Sequence, residues 1–160
     1  MADLLGDGNV KVTFCLTLSS TSNPPADECN AGVDLQEVLT KDGLDISPEQ
    51  ASVDNTNLAS RDETEDAGSV KYSLELTVKI QEEEADDVGT TTLVDRQKGF
   101  LVVRRNRPHE EDYEVGDPVE VYPVRCGRQR KQPPALNTPQ TFKSKLFNYA
   151  TADSDATVAA

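Results

Sequence analysis

The sequence predicts a mainly β domain, sandwich-like or barrel-like, with one short α-helix and long loops. Residues 10–18 alternate without error, with Val10, Val12, Phe14, Leu16 and Leu18 on one side and Lys11, Thr13, Cys15 and Thr17 on the other, the pattern of a half-buried strand. Residues 70–80 repeat it, with Val70, Tyr72, Leu74, Leu76, Val78 and Ile80 facing one way. Elsewhere short apolar runs are punctuated by Gly, Pro, Asn and Asp, as strands joined by turns require. At 160 residues the chain fits one domain, read over residues 1–149, and the small, polar residues 150–160 read as a flexible tail.

After the first strand, residues 19–32 are rich in Ser, Asn and Pro and read as a loop. Residues 33–39 read as a shorter apolar strand, with a turn at Lys41, Asp42 and Gly43 leading to another at 44–47. Residues 48–69 are polar and acidic, with only Val53 and Leu58 as apolar anchors, and read as a long mobile loop or arm. Beyond the second long strand, Thr92 and Asp95 have the spacing of a capping box, Arg96 and Lys98 suit the negative end of a helix dipole, and Gly99 suits the position past the end. These signals predict a short helix over residues 91–98. Residues 100–105 form a strand that Asn106, Arg107 and Pro108 break. A turn from Glu114 to Pro118 opens a strand at 119–126, where Pro123 removes a ladder donor and so predicts an edge position or a bulge. A basic loop at 127–134 and a last strand at 142–149 follow.

A hydrophobic content of 36% without tryptophan leaves a thin core and an extensive surface, which burial between subunits would supplement. The net charge of -13 argues against gripping nucleic acid by neutralising its phosphates. That charge is uneven: residues 41–90 hold 14 acids and 4 bases, whereas residues 91–145 hold 7 acids and 11 bases. Unlike patches attract when identical copies meet. The predicted contacts between copies are therefore Arg104, Arg105, Arg107, Arg128, Arg130 and Lys131 against Asp62, Glu63, Glu65, Asp66, Glu82, Glu83, Glu84, Asp86 and Asp87 of a neighbour. Only Phe100, Tyr113 and Tyr122 lie near the basic cluster, without the aromatic interleaving of a single-strand binder.

Catalysis has no foothold in this pattern. The one histidine, His109, lies in a polar turn, and a nucleophile elbow, a phosphate loop and a dinucleotide fingerprint are all missing. Asp62, Thr64 and Asp66 alternate like calcium ligands, but Ala67 stands where such a loop needs glycine and Ser73 where it needs a bidentate acid. Residues 82–87 have the character of a solvated charge run. Cys15, Cys29 and Cys126 make an odd count without metal-ligand spacing, which predicts reduced thiols in a cytoplasm-like compartment. No stretch has the form of a signal peptide or approaches a membrane span. Neither an enzyme, a cofactor, a metal nor a membrane partner is expected. A cytosolic β-sandwich module binding a sugar or peptide is the alternative class, and it would need a pocket of exposed aromatics.

Taken in order, the strand at 10–18, the turn into Leu44, Asp45, Ile46 and Ser47, the strand at 70–80, the helix at 91–98, the strand at 100–105, the turn and strand from Tyr113 to Val124, and a closing strand before an alanine-rich tail form a pattern. It resembles the major tail protein, or tail tube protein, of long-tailed bacteriophages, nearest those of actinobacterial phages, over about residues 8–160. The resemblance implies a β-sandwich-like tail-tube fold flanked by a short helix, six copies in a ring, and rings stacked head to tail into a hollow tube. It implies as partners the chain itself, the tape measure, tail tip and tail terminator proteins, and DNA that passes the lumen without specific binding. It places the protein in the virion tail after assembly in the host cytoplasm, with no catalytic residues. An acidic lumen suits this, because it repels phosphate. Residues 19–32 and 48–68 could each serve ring or stacking contacts. A tail-completion or decoration protein is the alternative within the same class.

Overall fold

The first alternating segment becomes strand β1 (Lys11–Cys15), but all five residues are buried, so its alternation separates two cores rather than core from solvent. The computed structural model, which describes residues 2–160, gives the reason. Val12 and Phe14 face a main core with Leu74, Leu101, Val103, Tyr122 and Leu146. Cys15 faces a second core with Cys29, Val102, Tyr113, Val121 and Ala156. A helix in the segment read as loop, α1 (Ala26–Asn30), carries Cys29 into that second core. Leu16, expected on the apolar face, lies past the strand end and is exposed.

The other elements are β2 (Val33–Asp34), β3 (Leu39–Asp54), β4 (Glu65–Lys79), α2 (Val88–Thr92), β5 (Lys98–Arg104), β6 (Pro118–Cys126), β7 (Arg130–Lys131), β8 (Thr141–Asn148) and β9 (Asp153–Thr157). The strands form one antiparallel sheet in the order β2-β1-β5-β6-β8-β4-β3, with β7 beside β8 and β9 beside β6. β2 and β3 stand at opposite ends of this order, yet only four residues join them. The sheet must therefore curl until its ends approach, and Leu35 and Val38 from the joint fill the main core. That curl makes the mainly β, sandwich-like fold predicted from the sequence.

The predicted turn at Lys41, Asp42 and Gly43 is instead a bulge within β3, where pairing jumps from Leu39↔Val78 to Leu44↔Leu76. Gly43 is required there, since a Cβ would collide with the Thr77 carbonyl oxygen. Residues 48–69, expected as a loop, are mostly hairpin, paired from Pro48↔Tyr72 to Asp54↔Glu65. β4 meets β8 only from Leu74 onward, so beyond Ser73 the hairpin stands alone as a two-stranded arm. Its ladder continues past the body, while its faces meet solvent and need no apolar alternation.

The helix lies earlier and is shorter than predicted. Asp87 precedes it and accepts a 2.8 Å hydrogen bond from the Thr90 hydroxyl. Leu93 then turns into the main core, and the Gln129 amide donates to the Thr90 and Leu93 carbonyls at 3.0 and 2.8 Å. Thr92 and Asp95 therefore cap nothing, and Gly99 lies in β5, where a Cβ would collide with the Phe14 ring.

Pro123 is not at an edge. β6 pairs with β5 along one side, and on the other with β8 as far as Val124↔Asn148 and with β9 from Val121↔Asp153. The Pro123 carbonyl accepts from Tyr149 N–H on that second side, so the missing donor falls in the interval where β8 gives way to β9. Residues 149–152 bulge from the ladder there. The last strand is thus β9 rather than β8. Ala156 and Val158 are buried, and Ala159 exchanges backbone hydrogen bonds with Pro24 and Ala26 at 2.9 and 3.0 Å.

Candidate assembly surfaces

The arm is the most prominent surface feature. Past the last body contacts β3 continues to Asp54, which at the rise of a strand carries the tip about 25 Å from the body. The tip is fastened by its own polar groups: Thr64 N–H donates to the Thr56 hydroxyl at 2.8 Å, and Ala59 N–H to the Asn57 side chain at 3.1 Å. Leu58 stands fully exposed at the apex. Asp54, Asp62, Glu63, Glu65 and Asp66 surround it, with Arg61 as the one base in this stretch, and all are exposed.

A cationic face lies elsewhere on the sheet. Facing residues of an antiparallel ladder project from the same side. Lys145 faces Glu75, Arg130 faces Lys143, Phe147 faces Arg125, and Arg125 faces Lys98. These residues share the side of the sheet opposite the main core. Two aromatic side chains are exposed among them: the Lys98 ammonium lies 5.2 Å from the Tyr149 ring centre, and that of Lys145 5.4 Å from the Phe147 ring centre. Sequence reasoning did not select Lys98, Lys143 or Lys145. Their common signal is register, which joins lysines distant in sequence.

The predicted basic contacts divide. Arg128 and Lys131 are exposed, Arg130 pairs with Glu75 at 3.2 Å, and Arg105 pairs with Glu120 at 3.0 Å. Arg104, by contrast, is wholly buried, which removes its side chain from any contact between copies. Its guanidinium donates to the carbonyls of Asp112, Pro108 and Glu111 at 2.8, 2.9 and 2.8 Å, and lies 3.5 Å from the Asp117 carboxylate and 5.1 Å from the Tyr113 ring centre. Arg107 donates to the same Asp117 carboxylate oxygen, Oδ2, at 2.7 Å and also reaches Glu111 and Glu114. The two arginines thus fold the 105–117 loop onto the second core. Burial acts to raise the Asp117 pKa, but Glu114 N–H and the guanidiniums of Arg107 and Arg104 outweigh it and hold the carboxyl below its usual range.

The predicted acids also divide. Those at 62, 63, 65 and 66 ride the arm, and Glu82, Glu83, Glu84 and Asp86 are exposed in the turn before α2, whereas Asp87 is half-buried beside the helix start. None of them is brought to the predicted bases within the subunit.

Nothing in this geometry supports group transfer. His109 sits between the Gly8 carbonyl, 3.1 Å from Nδ1, and the carboxylates of Glu37 and Glu110, each 3.9 Å from Nε2, with no nucleophile among these partners. Burial pushes the Cys15 thiol up to about 12 and those of Cys29 and Cys126 to about 11. Among the described residues no cluster of His, Cys, Asp or Glu is arranged to hold a metal, and no helix is long and apolar enough to cross a membrane.

Comparison with known proteins agrees with a structural role. No curated protein matches the sequence. A chain in the cryo-EM structure of the anti-feeding prophage (AFP) baseplate, 6-fold symmetrised, shares the fold, with a TM-score of 0.52, 14% identity and 96% of each chain covered. The family described as phage tail tube protein matches residues 1–160. With the whole length matched, the chain belongs to the phage tail tube protein family, which is structural and not enzymatic.

Proposed function

We propose that the chain is the repeating subunit of a phage tail tube, with six copies closing a ring and rings stacking head to tail around a lumen that passes DNA without gripping it. The observation that carries this reading is the separation of the acidic arm from the cationic sheet face on one subunit. A contact between two different surfaces of identical copies does not close a pair. It repeats, and yields rings where the rotation closes and filaments where it does not. The arm also needs cover, because a two-stranded ribbon is marginal by itself in water.

In this reading the arm acids of one copy meet Arg130, Lys143 and Lys145 on the cationic face of the next, with the exposed Arg128 and Lys131 beside that face. The exposed acids before α2 are a second candidate for the same face. The six-fold symmetry of the baseplate that holds the similar chain favours six copies. The net charge of -13 suits a conduit that repels phosphate. Tape measure, tail tip and tail terminator proteins would bind the tube's lumen and ends.

Light scattering and negative-stain micrographs of the concentrated protein test this. Rings or tubes should grow with concentration, and changing Arg128, Arg130 and Lys131 together to Glu should slow growth at low salt. A strict monomer at high concentration, with no rings in micrographs, refutes the reading.

A further inference from the structure

Where β4 and β8 part, the sheet leaves an open groove. β4 has β3 on one side throughout, but on the β8 side no partner over residues 65–73. β8 runs only two residues beyond its last pair with β4, Leu74↔Leu146, to Asn148, and has β6 on its far side over residues 146–148. The groove between them is walled by Val70, Tyr72, Lys145, Phe147 and Asn148. Asn148 carries a buried side-chain oxygen without a hydrogen-bond partner. An unpaired strand edge, apolar walls and an unused acceptor are what an added strand would satisfy.

The chain also carries a segment suited to that role. Residues 2–6 form no strand, and Leu4 and Leu5 stand 67% and 64% exposed. In its own subunit the Leu5 and Gly6 carbonyls are held only in a local turn, accepting from the Asn9 side-chain amide and N–H at 3.0 and 3.2 Å, and the turn is tethered through Gly8, whose carbonyl accepts from His109 N–H at 2.9 Å. That tether lies toward the Arg104 end of β5, whereas the groove lies toward the Lys98 end, where Lys98 faces Arg125 and Arg125 faces Phe147.

We propose that residues 2–6 of a second copy enter this groove as a short added strand beside β4. The alternation of an extended strand fits both faces. Asp3 and Leu5 fall together, and with Leu5 toward Phe147, Asp3 reaches the side that carries Lys71 and Lys145. Leu4 then falls toward Val70 and Tyr72 on the main-core side. The acid on the segment and the lysines on the rim have opposite charge, which selects this segment over a neutral one. The inference rests on the reading of the chain as a self-assembling subunit, and deepens it by naming one of the contacts.

Mixing two single variants tests it, one copy with Leu5→Cys and the other with Phe147→Cys, so that no chain can link to itself. Assembled material exposed to oxidised glutathione should give a disulfide-linked dimer that the wild-type mixture, whose own cysteines are all buried, does not. Assembly at the wild-type level without that dimer overturns the inference and leaves the tube reading standing. A double variant with both cysteines in one chain serves as the control, and a link that forms only within that chain also overturns the inference. Failure of the wild-type protein to assemble removes the tube reading and this contact together. In a second arm, Leu4→Asp with Leu5→Asp should raise the concentration needed for assembly by about 10–100-fold, from lost apolar burial, with an unchanged urea midpoint. An unchanged assembly concentration counts against the inference.

Discussion

Replacing Arg104 by Met removes a buried guanidinium while keeping most of its volume. Three loop carbonyls lose their donors and Asp117 loses one of its two cationic partners. Each hydrogen bond to a charged group is worth about 1.5–3 kcal/mol, but the three share one side chain and do not add. Breaking a buried charge pair from one side costs about 3–5 kcal/mol, and that range applies here because the Arg104 side chain has no exposed surface. A domain of this kind has about 5–15 kcal/mol in total, so the loss approaches the stability of a weak subunit. With a urea slope of about 2 kcal/mol per molar, the midpoint should fall by about 2 M. Urea titration of dilute protein, followed by far-UV circular dichroism, measures it. Arg105→Met is the internal control: the neighbouring residue pairs with Glu120 at the surface, and such pairs contribute about 0–1 kcal/mol. Equal shifts in the two variants would refute the assignment of Arg104 to the inside of the subunit.

Two further outcomes follow from the same interior. The Asp117 carboxyl titrates below its ordinary value, so its contribution is complete above about pH 4 and is lost as pH falls through the folded-state value; Asp117→Asn should flatten the acid limb of a urea-midpoint profile between pH 7 and pH 3. Burial raises all three thiols, so at pH 8 a thiol-reactive dye should label the native protein at a negligible rate and label three sites per chain after denaturation.

Strands were legible in the sequence wherever one face met a large core, as at Val12 and Phe14 in β1 or Leu74, Leu76 and Val78 in β4. They were not legible where the partner was the signal. The arm alternates nothing because neither of its faces is buried, and β9 contributes only the small side chain of Ala156 to the second core. The bulge at Gly43 and the interval at Pro123 depend on which strands lie alongside, which local turn chemistry does not contain. The contact residues show the same limit. Acids in the polar segment were readable as exposed, but Arg104 and Arg105 are identical in composition and adjacent in the chain. A strand turns successive residues to opposite faces, so one enters the second core and the other enters solvent.

The division between a buried body and unburied extensions bears on how charge would act in the proposed tube. Two copies, each at -13, repel at long range, so unoriented encounters are unproductive. Attraction would arise in orientations that bring the arm acids, or the exposed acids before α2, to the lysines and arginines of the cationic face. Each exposed pair formed there contributes about 0–1 kcal/mol, too little to hold a tube by itself. Charge would then select register and direction, while adhesion comes from apolar groups the subunit leaves uncovered: Leu58 at the arm apex, Phe147 and Tyr149 on the cationic face, and Leu4 and Leu5 before β1. These residues lie at three separate places, the arm apex, the sheet face and the segment before β1. In the proposed tube the subunit would therefore gain its full burial only when several neighbours are in place.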